Sequence, residues 1–145
     1  MKRRIILSLI GFVVVLAAVV VGGSLYLIDY ALVNHDERSD VNSRMERMLR
    51  EYPAVKPWID SLQANHALRD TFIVMANGER QHAVYVADPR ACGRTAVLVH
   101  GYHDSSVRML PIASIYSRMG YNILLPDLHA HGLSDGTDIQ MGWKD

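Results

Sequence analysis

Hydrophobic and polar residues alternate with different periods in successive parts of this chain. From Ile5 to Ile28 the sequence IILSLIGFVVVLAAVVVGGSLYLI carries no charge. As a helix rising about 1.5 Å per residue it is long enough to cross a hydrocarbon layer of about 30 Å. Every face of that helix would be apolar, which predicts a transmembrane segment in contact with the lipid bilayer and argues against a soluble core helix. Lys2, Arg3 and Arg4 precede the run, and Asp29, Asp36 and Glu37 follow it. The positive-inside rule therefore predicts a cytoplasmic N-terminus and an extracytoplasmic remainder. A cleaved signal peptide fits less well, because the run exceeds the usual apolar length of about 7–15 residues and no clean A-x-A site follows.

Beyond the apolar run the period becomes helical. Val41, Met45, Met48, Leu49 and Tyr52 fall on one face, and Arg44, Glu46, Arg47, Arg50 and Glu51 on the other, the pattern of an amphipathic helix. The charges read as a solvated face with i,i+3 and i,i+4 pairs and no binding role. Pro53 ends this helix. A second, short helix is predicted from Pro57, with Val55, Trp58, Ile59 and Leu62 on a shared face and Trp58 making a core or lid contact.

After Asn65 the pattern turns to strand. Leu68 to Ala76 and Gln81 to Ala87 are β-rich segments flanking Asn77-Gly78, which predicts a hairpin. Asp88-Pro89 and Cys92-Gly93 mark a turn. Thr95 to His100 then reads as a buried parallel strand. Ser105 to Met119 is helical, with Ser105 or Ser106 as N-cap, a regular helix starting later because of Pro111, and a stripe of Met109, Ile112, Ala113, Tyr116 and Met119. Gly120 stops that helix, and Tyr121 to Pro126 is a further buried strand. The result is an α/β chain in which a β-hairpin leads into a parallel βαβ unit.

Composition narrows the function classes. The 145 residues are 50% hydrophobic and 21% charged, with fifteen Lys plus Arg against fifteen Asp plus Glu. Nothing in that balance suggests a nucleic-acid partner. Cys92 is the only cysteine, which excludes an internal disulfide, a paired-thiol redox site and a multi-cysteine zinc site. It reads as a loop residue, and no cofactor is expected.

Active sites of open α/β sheets gather beyond the carboxyl ends of the strands, which here are the loops HGYHDSS after Val99 and DLHAHGLSDG after Pro126. The second contains Gly132-Leu133-Ser134-Asp135-Gly136, a match to the G-x-S-x-G nucleophile elbow. That elbow requires its serine directly after a buried strand. The strand here ends at Pro126, and the following TDIQMGWKD shows no clear helix, so Ser134 reads as structural.

The ordered set, His100-Gly101 closing a strand, Gly120-Tyr121-Asn122 opening the next, Pro126-Asp127, then His131-Gly132-x-Ser134-x-Gly136, resembles the N-terminal half of an α/β-hydrolase domain. The type it resembles is membrane-anchored, bacterial and serine aminopeptidase-like, which implies the inner membrane and periplasm. The resemblance implies a serine hydrolase acting on ester or amide bonds of a small-molecule or peptide substrate. It implies an oxyanion-hole donor at the backbone N–H of Tyr102, with Gly101 permitting a backbone turn that a Cβ would hinder, and a structural role for His100. Two positions depart from the family's loop: His129 stands where arginine is common, and Ala130 where glycine is common.

The resemblance places the catalytic serine, acid and histidine outside this chain, which is expected to be an N-terminal fragment, inactive alone, with an uncovered sheet edge. The expected organisation is a cytoplasmic tail (1–4), a transmembrane anchor (5–28), a helical juxtamembrane segment (29–66) and half of a hydrolase domain (67–145). Two alternatives stay open. His100, His103, Asp104, Asp127, His129, His131 and Asp135 are all of metal-ligand type, so a metal-dependent hydrolase could use the His129 and His131 loop, although its spacing does not match H-x-H-x-D-H. A non-catalytic membrane-anchored binding protein is the other.

Overall fold

The computed structural model describes residues 2–33 and 41–140. Asp36 and Glu37, which bear on the predicted orientation, and the end of the chain from residue 141 lie outside the described residues.

Helix α1 (Lys2–Leu32) extends the uncharged run at both ends, and its large apolar side chains are exposed throughout. It is long and apolar enough to span a membrane. Its C-terminal end meets the rest of the chain: the Ile139 N–H donates to the Leu32 carbonyl at 2.6 Å, and Val33 bridges to Asp138.

Helix α2 (Val41–Glu51) carries the predicted amphipathic face, with Met48 fully buried and Val41, Met45 and Leu49 packed against the core. Tyr52 at the end of that stripe is exposed. Glu51 pairs with Arg108 from a distant segment, so the expected neighbour-to-neighbour pairing on the charged face gives way to a tertiary contact. Pro53–Val55 forms a 3-10 turn, and helix α3 (Lys56–Ala64) follows with Pro57 in its first turn and Val55, Ile59 and Leu62 buried.

Strands β1 (Leu68–Val74) and β2 (Arg80–Val86) pair antiparallel from Leu68↔Val86 to Val74↔Arg80. In the connecting loop the Met75 N–H donates to the Glu79 carbonyl, the Gly78 N–H donates to Met75, and Gly78 takes φ +86. A left-handed residue closing such a loop suits glycine. Strand β3 (Thr95–Val97) runs parallel to β4 (Asn122–Pro126), and the sheet order is β1-β2-β4-β3.

Two strand expectations are corrected. β3 ends at Val97, three residues before His100, although the Leu98 N–H still donates to the Leu124 carbonyl. Nor is it buried: Val97 and Val99 are 58% and 51% exposed. Among the described residues β3 lies at the sheet edge with only β4 beside it, so an apolar run that reads as a central strand has one side open.

Between β3 and β4 a 3-10 turn (Ser106–Met109) leads into helix α4 (Leu110–Arg118), with Pro111 in its first turn. The expected stripe is met in part: Ala113 is buried and Met109 and Tyr116 pack against the core, but Ile112 and Met119 do not. Leu110, Ala113, Ser114 and Ser117 face inward, while Ile112, Ile115 and Met119 are exposed. Hydrophobicity misleads here because the two serines are satisfied inside. Ser114 Oγ donates to the Pro111 carbonyl at 2.7 Å. Ser117 Oγ donates to Asp88 and accepts from the Trp58 indole N–H and the Arg90 guanidinium, each at 3.0 Å. Gly120, at φ +77, terminates the helix.

The core is one cluster in which Met48, Ile59 and Leu62 meet Val84 and Val86 of β2, Ile123 and Leu125 of β4, and Val107, Leu110 and Ala113. Asp88 sits at its rim, 5% exposed, and its pKa is lowered to about 2, chiefly by the Arg90 hydrogen bonds against the opposing effect of burial. Its contribution is complete above the ordinary 3.8 and is lost only as pH falls through about 2. At neutral pH, Asp88→Asn is expected to destabilise the fold by about 2 kcal/mol, the scale of a hydrogen-bond set to a charged group. A chemical denaturation curve of the detergent-solubilised chain that is unmoved by this substitution would contradict the linking role of Asp88.

Candidate functional site

The parallel strands β3 and β4 point their carboxyl ends the same way, so residues 98–105 and 127–136 form one loop cluster at that end of the sheet. The cluster is organised by a buried carboxylate. Val86, Val84 and His82 alternate along one face of β2, opposite Ile123, Leu125 and Asp127. The apolar rows of the core thus end in an ionic pair, with His82 Nδ1 at 2.7 Å from Asp127 Oδ2 and both residues 2% exposed.

Asp127 also accepts the backbone N–H groups of Ser106 at 2.6 Å and Leu133 at 3.0 Å. His82 Nε2 reaches Asp70 of β1 at 3.1 Å. Burial by itself would lower the His82 pKa, but the hydrogen bonds and charges of Asp127 and Asp70 outweigh it and raise the value above the ordinary 6.5. For Asp127, burial acts upward, and the bonds from His82, Ser106 and Leu133 carry it below 3.8. Both directions favour the charged form of the pair, an imidazolium against a carboxylate. Nothing in the sequence marked His82 or Asp70. The one available signal was a histidine at an inward position of an alternating strand.

All three fixed positions of G-x-S-x-G have structural explanations. Ser134 is 2% exposed, donates to the Asp127 carbonyl at 2.6 Å and accepts the His82 N–H at 2.9 Å. Its oxygen bridges two backbone groups and does not face solvent. Gly132 takes φ +53, and a Cβ there would stand 2.0 Å from Asp127 Oδ2. Gly136 takes φ +126, and a Cβ would stand 2.6 Å from His129 Nε2. Both glycines are required by what packs against them.

His100 is buried with both ring nitrogens engaged: Nδ1 lies 2.7 Å from the Gly101 carbonyl, and Nε2 accepts the Leu128 N–H at 3.0 Å. This geometry suits the Nδ1–H tautomer and ties the loop after β3 to the loop after β4. His131 makes a second tie, with Nδ1 at 2.8 Å from the His129 carbonyl and Nε2 accepting the His103 N–H at 3.2 Å. The two imidazoles lie 5.0 Å apart between centroids.

Between those ties sits Tyr102, 54% exposed. No acceptor among the described residues takes its backbone N–H, and its hydroxyl donates to the Ala31 carbonyl at the end of α1. The expectation for Gly101 is corrected. It has ordinary negative φ, and a Cβ would meet nothing within 4 Å. The strained residue in this loop is His103, at φ +54.

The seven metal-type side chains disperse. Asp135 pairs with Arg80 of β2, Asp104 accepts the Ser105 N–H, and Asp127 is committed as above. His129, 1% exposed, lies 3.4 Å from Glu79 and 3.7 Å from Asp138, between two carboxylates. Among the described residues no group of three or more His, Cys, Asp or Glu is arranged to hold a metal ion. Ala130 adopts φ +59, a left-handed conformation that a glycine takes without steric cost.

No family model matches this chain, and no curated protein matches it. Among solved structures it is similar to a Pyrococcus furiosus esterase in two crystal forms, at 26% identity in each. In one form the match covers 53% of this chain and 29% of the esterase, with a TM-score of 0.47. In the other the figures are 48%, 27% and 0.43. The chain thus spans less than a third of that esterase's length.

The stabilising effect of His82 is complete below pH 6.5 and is lost as pH rises through its raised value; that of Asp127 is complete above pH 3.8 and is lost as pH falls through its lowered value. The pair contributes fully only between those limits. Denaturation midpoints in neutral detergent are expected to fall as pH rises above 6.5, and the fall should shrink in His82→Gln. Parallel pH profiles for the two proteins would refute an imidazolium at this position.

Proposed function

We propose that residues 67–145 are the N-terminal half of an α/β-hydrolase domain, anchored by α1 and cleaving ester or amide bonds by acyl transfer. The observation that carries this reading is the Tyr102 N–H, presented at the carboxyl ends of a parallel strand pair by a loop that His100 and His131 clamp from both sides. A donor of this kind must be held rigidly and must have no partner of its own, so that it is available when charge develops on a carbonyl oxygen.

In the proposed reaction a serine hydroxyl attacks the substrate carbonyl carbon while a histidine takes its proton. The resulting oxyanion accepts the Tyr102 N–H. Collapse of the tetrahedral intermediate expels the alcohol or amine, which receives that proton, and water then releases the acid from the acyl-enzyme. The serine, acid and histidine would come from further chain, because Ser134 is committed to two backbone groups. The open edge of β3, the exposure of Val97 and Val99, and the outward Ile112 and Ile115 of α4 support coverage by further strands and helices.

The test uses the full-length gene product and a fluorophosphonate probe. Labelling is expected on a serine outside these 145 residues, with none on the 145-residue chain alone. Tyr102→Phe should retain most turnover, whereas Tyr102→Pro, which removes the backbone N–H together with the ring, should lower kcat by about 10²–10³-fold. Labelling of Ser134, or equal activity of the two variants, would defeat the proposal. Silence of the full-length product toward the probe would favour a binding protein.

The anchor is proposed to leave the N-terminus in the cytoplasm and the domain outside. Cys92 is exposed and is the only thiol in the chain, so it reports topology directly. A membrane-impermeant maleimide is expected to label Cys92 on intact cells, with labelling lost in Cys92→Ser. Protection of Cys92 until the cells are lysed would reverse the orientation.

A further inference from the structure

Three contacts tie the C-terminal end of α1 to the loops at the carboxyl end of the parallel strands. The Tyr102 hydroxyl donates to the Ala31 carbonyl, the Ile139 N–H donates to the Leu32 carbonyl, and Val33 bridges to Asp138. Asp29 is the first charge after the apolar run, so it marks where a membrane-spanning α1 leaves the hydrocarbon. Tyr26 and Tyr30 flank it as a stacked pair, and aromatic rings favour the boundary between membrane and water. Ala31 lies about 3 Å of helical rise beyond Asp29, and the headgroup layer is about 5–8 Å deep on each side of the bilayer. On a membrane-spanning α1 the Tyr102 ring thus ends inside that layer.

The β1–β2 hairpin supplies an independent observation at the same end of the sheet. β2 runs antiparallel to β4 with Ala83 opposite Pro126, so Arg80 and the hairpin tip extend past the carboxyl end of β4. Contacts lead from the tip back to α1. The Arg80 carbonyl accepts the Asp135 N–H, and His129 lies between Glu79 of the tip and Asp138, the residue bridged to Val33. Here Phe72, Ile73, Val74 and Met75 are all exposed. Phe72 and Val74 point to one face of the strand and Ile73 to the other. A packed helix or sheet covers one face only, whereas a fluid lipid layer surrounds both.

We propose that the hairpin residues Phe72 to Met75 and the Tyr102 ring make a second contact with the bilayer, so that the carboxyl end of the sheet is seated on the lipid surface. This seating rests on α1 crossing the membrane and does not require the acyl-transfer reading. Combined with that reading it names the substrate class. The Tyr102 N–H lies beside the headgroup layer, so the bond cleaved is the ester of an amphiphile whose acyl chain stays in the bilayer. In net terms water gives its hydroxyl to the acyl carbon and its remaining proton to the departing alcohol.

The experiment uses the full-length gene product in phosphatidylcholine vesicles, labelled at a single cysteine with a nitrobenzoxadiazole dye. Val74→Cys is made in a background with every other cysteine, Cys92 included, replaced by serine. A second sample keeps Cys92, which is exposed at the opposite end of the sheet, where its N–H donates to Gly120 ahead of β4. Phosphatidylcholine spin-labelled near its ester carbonyl is expected to quench the dye at position 74 about twofold or more beyond the dye on Cys92, with aqueous iodide giving the reverse order. Equal quenching at the two positions overturns the seating. So does a dye at 74 shielded from iodide but not quenched by the lipid, since further protein then covers the hairpin. Turnover of a long-chain ester carried in the vesicles is expected to exceed that of the water-soluble acetyl ester of the same alcohol by about tenfold or more in kcat/KM. Cleavage of the acetyl ester alone would overturn the substrate class and leave acyl transfer standing. Cleavage of neither would bring down the acyl-transfer reading and the substrate class together, while the quenching contrast decides the seating by itself.

Discussion

A carboxylate buried at the end of an apolar sheet face is the constraint on which this architecture depends. Removing Asp127 from water is unfavourable unless its oxygens are fully engaged. The chain meets that requirement with the His82 imidazole from β2, a backbone N–H from the start of the 3-10 turn before α4, and a backbone N–H from the loop after β4. Three segments far apart in sequence are thereby drawn to one point. Gly132 follows from the same demand, since the Leu133 N–H can reach Asp127 only where position 132 has no Cβ. Ser134 follows too, bridging the Asp127 carbonyl to the His82 N–H on the next strand.

Around this point the polar groups divide into two kinds. His100, His131 and Ser134 have their hydrogen-bonding capacity directed at backbone atoms, and they set loop geometry. Tyr102 is held in a loop tied on both sides, and no acceptor among the described residues takes its backbone N–H. Rigid support beside an unused donor is the arrangement from which binding and catalytic sites are built.

Much of this was legible from residue pattern. The helical face of Val41 to Leu49, the stop at Pro53, the hairpin around Asn77-Gly78 and the delayed start of α4 at Pro111 are local effects of periodicity, ring geometry and positive φ. The distance of Ser134 from its strand likewise argues against a nucleophile. What the pattern misplaced were faces and edges. α4 turned its serines inward because Asp88, Arg90 and Trp58 satisfy Ser117 there. β3 came out exposed because burial of a strand depends on what stands beside it, which its own residues do not encode.

The sequence by itself determined the elements, their order, the long apolar helix and the two loops in which polar residues gather, because these depend on interactions within a few residues. Only the tertiary structure decided which polar groups are used up and which remain available. His82 finding Asp127, Glu51 finding Arg108, and Ser105 finding no partner are each set by approach between distant segments. A histidine in a strand, a glutamate on a helix and a serine in a loop look the same in sequence whether or not that approach occurs.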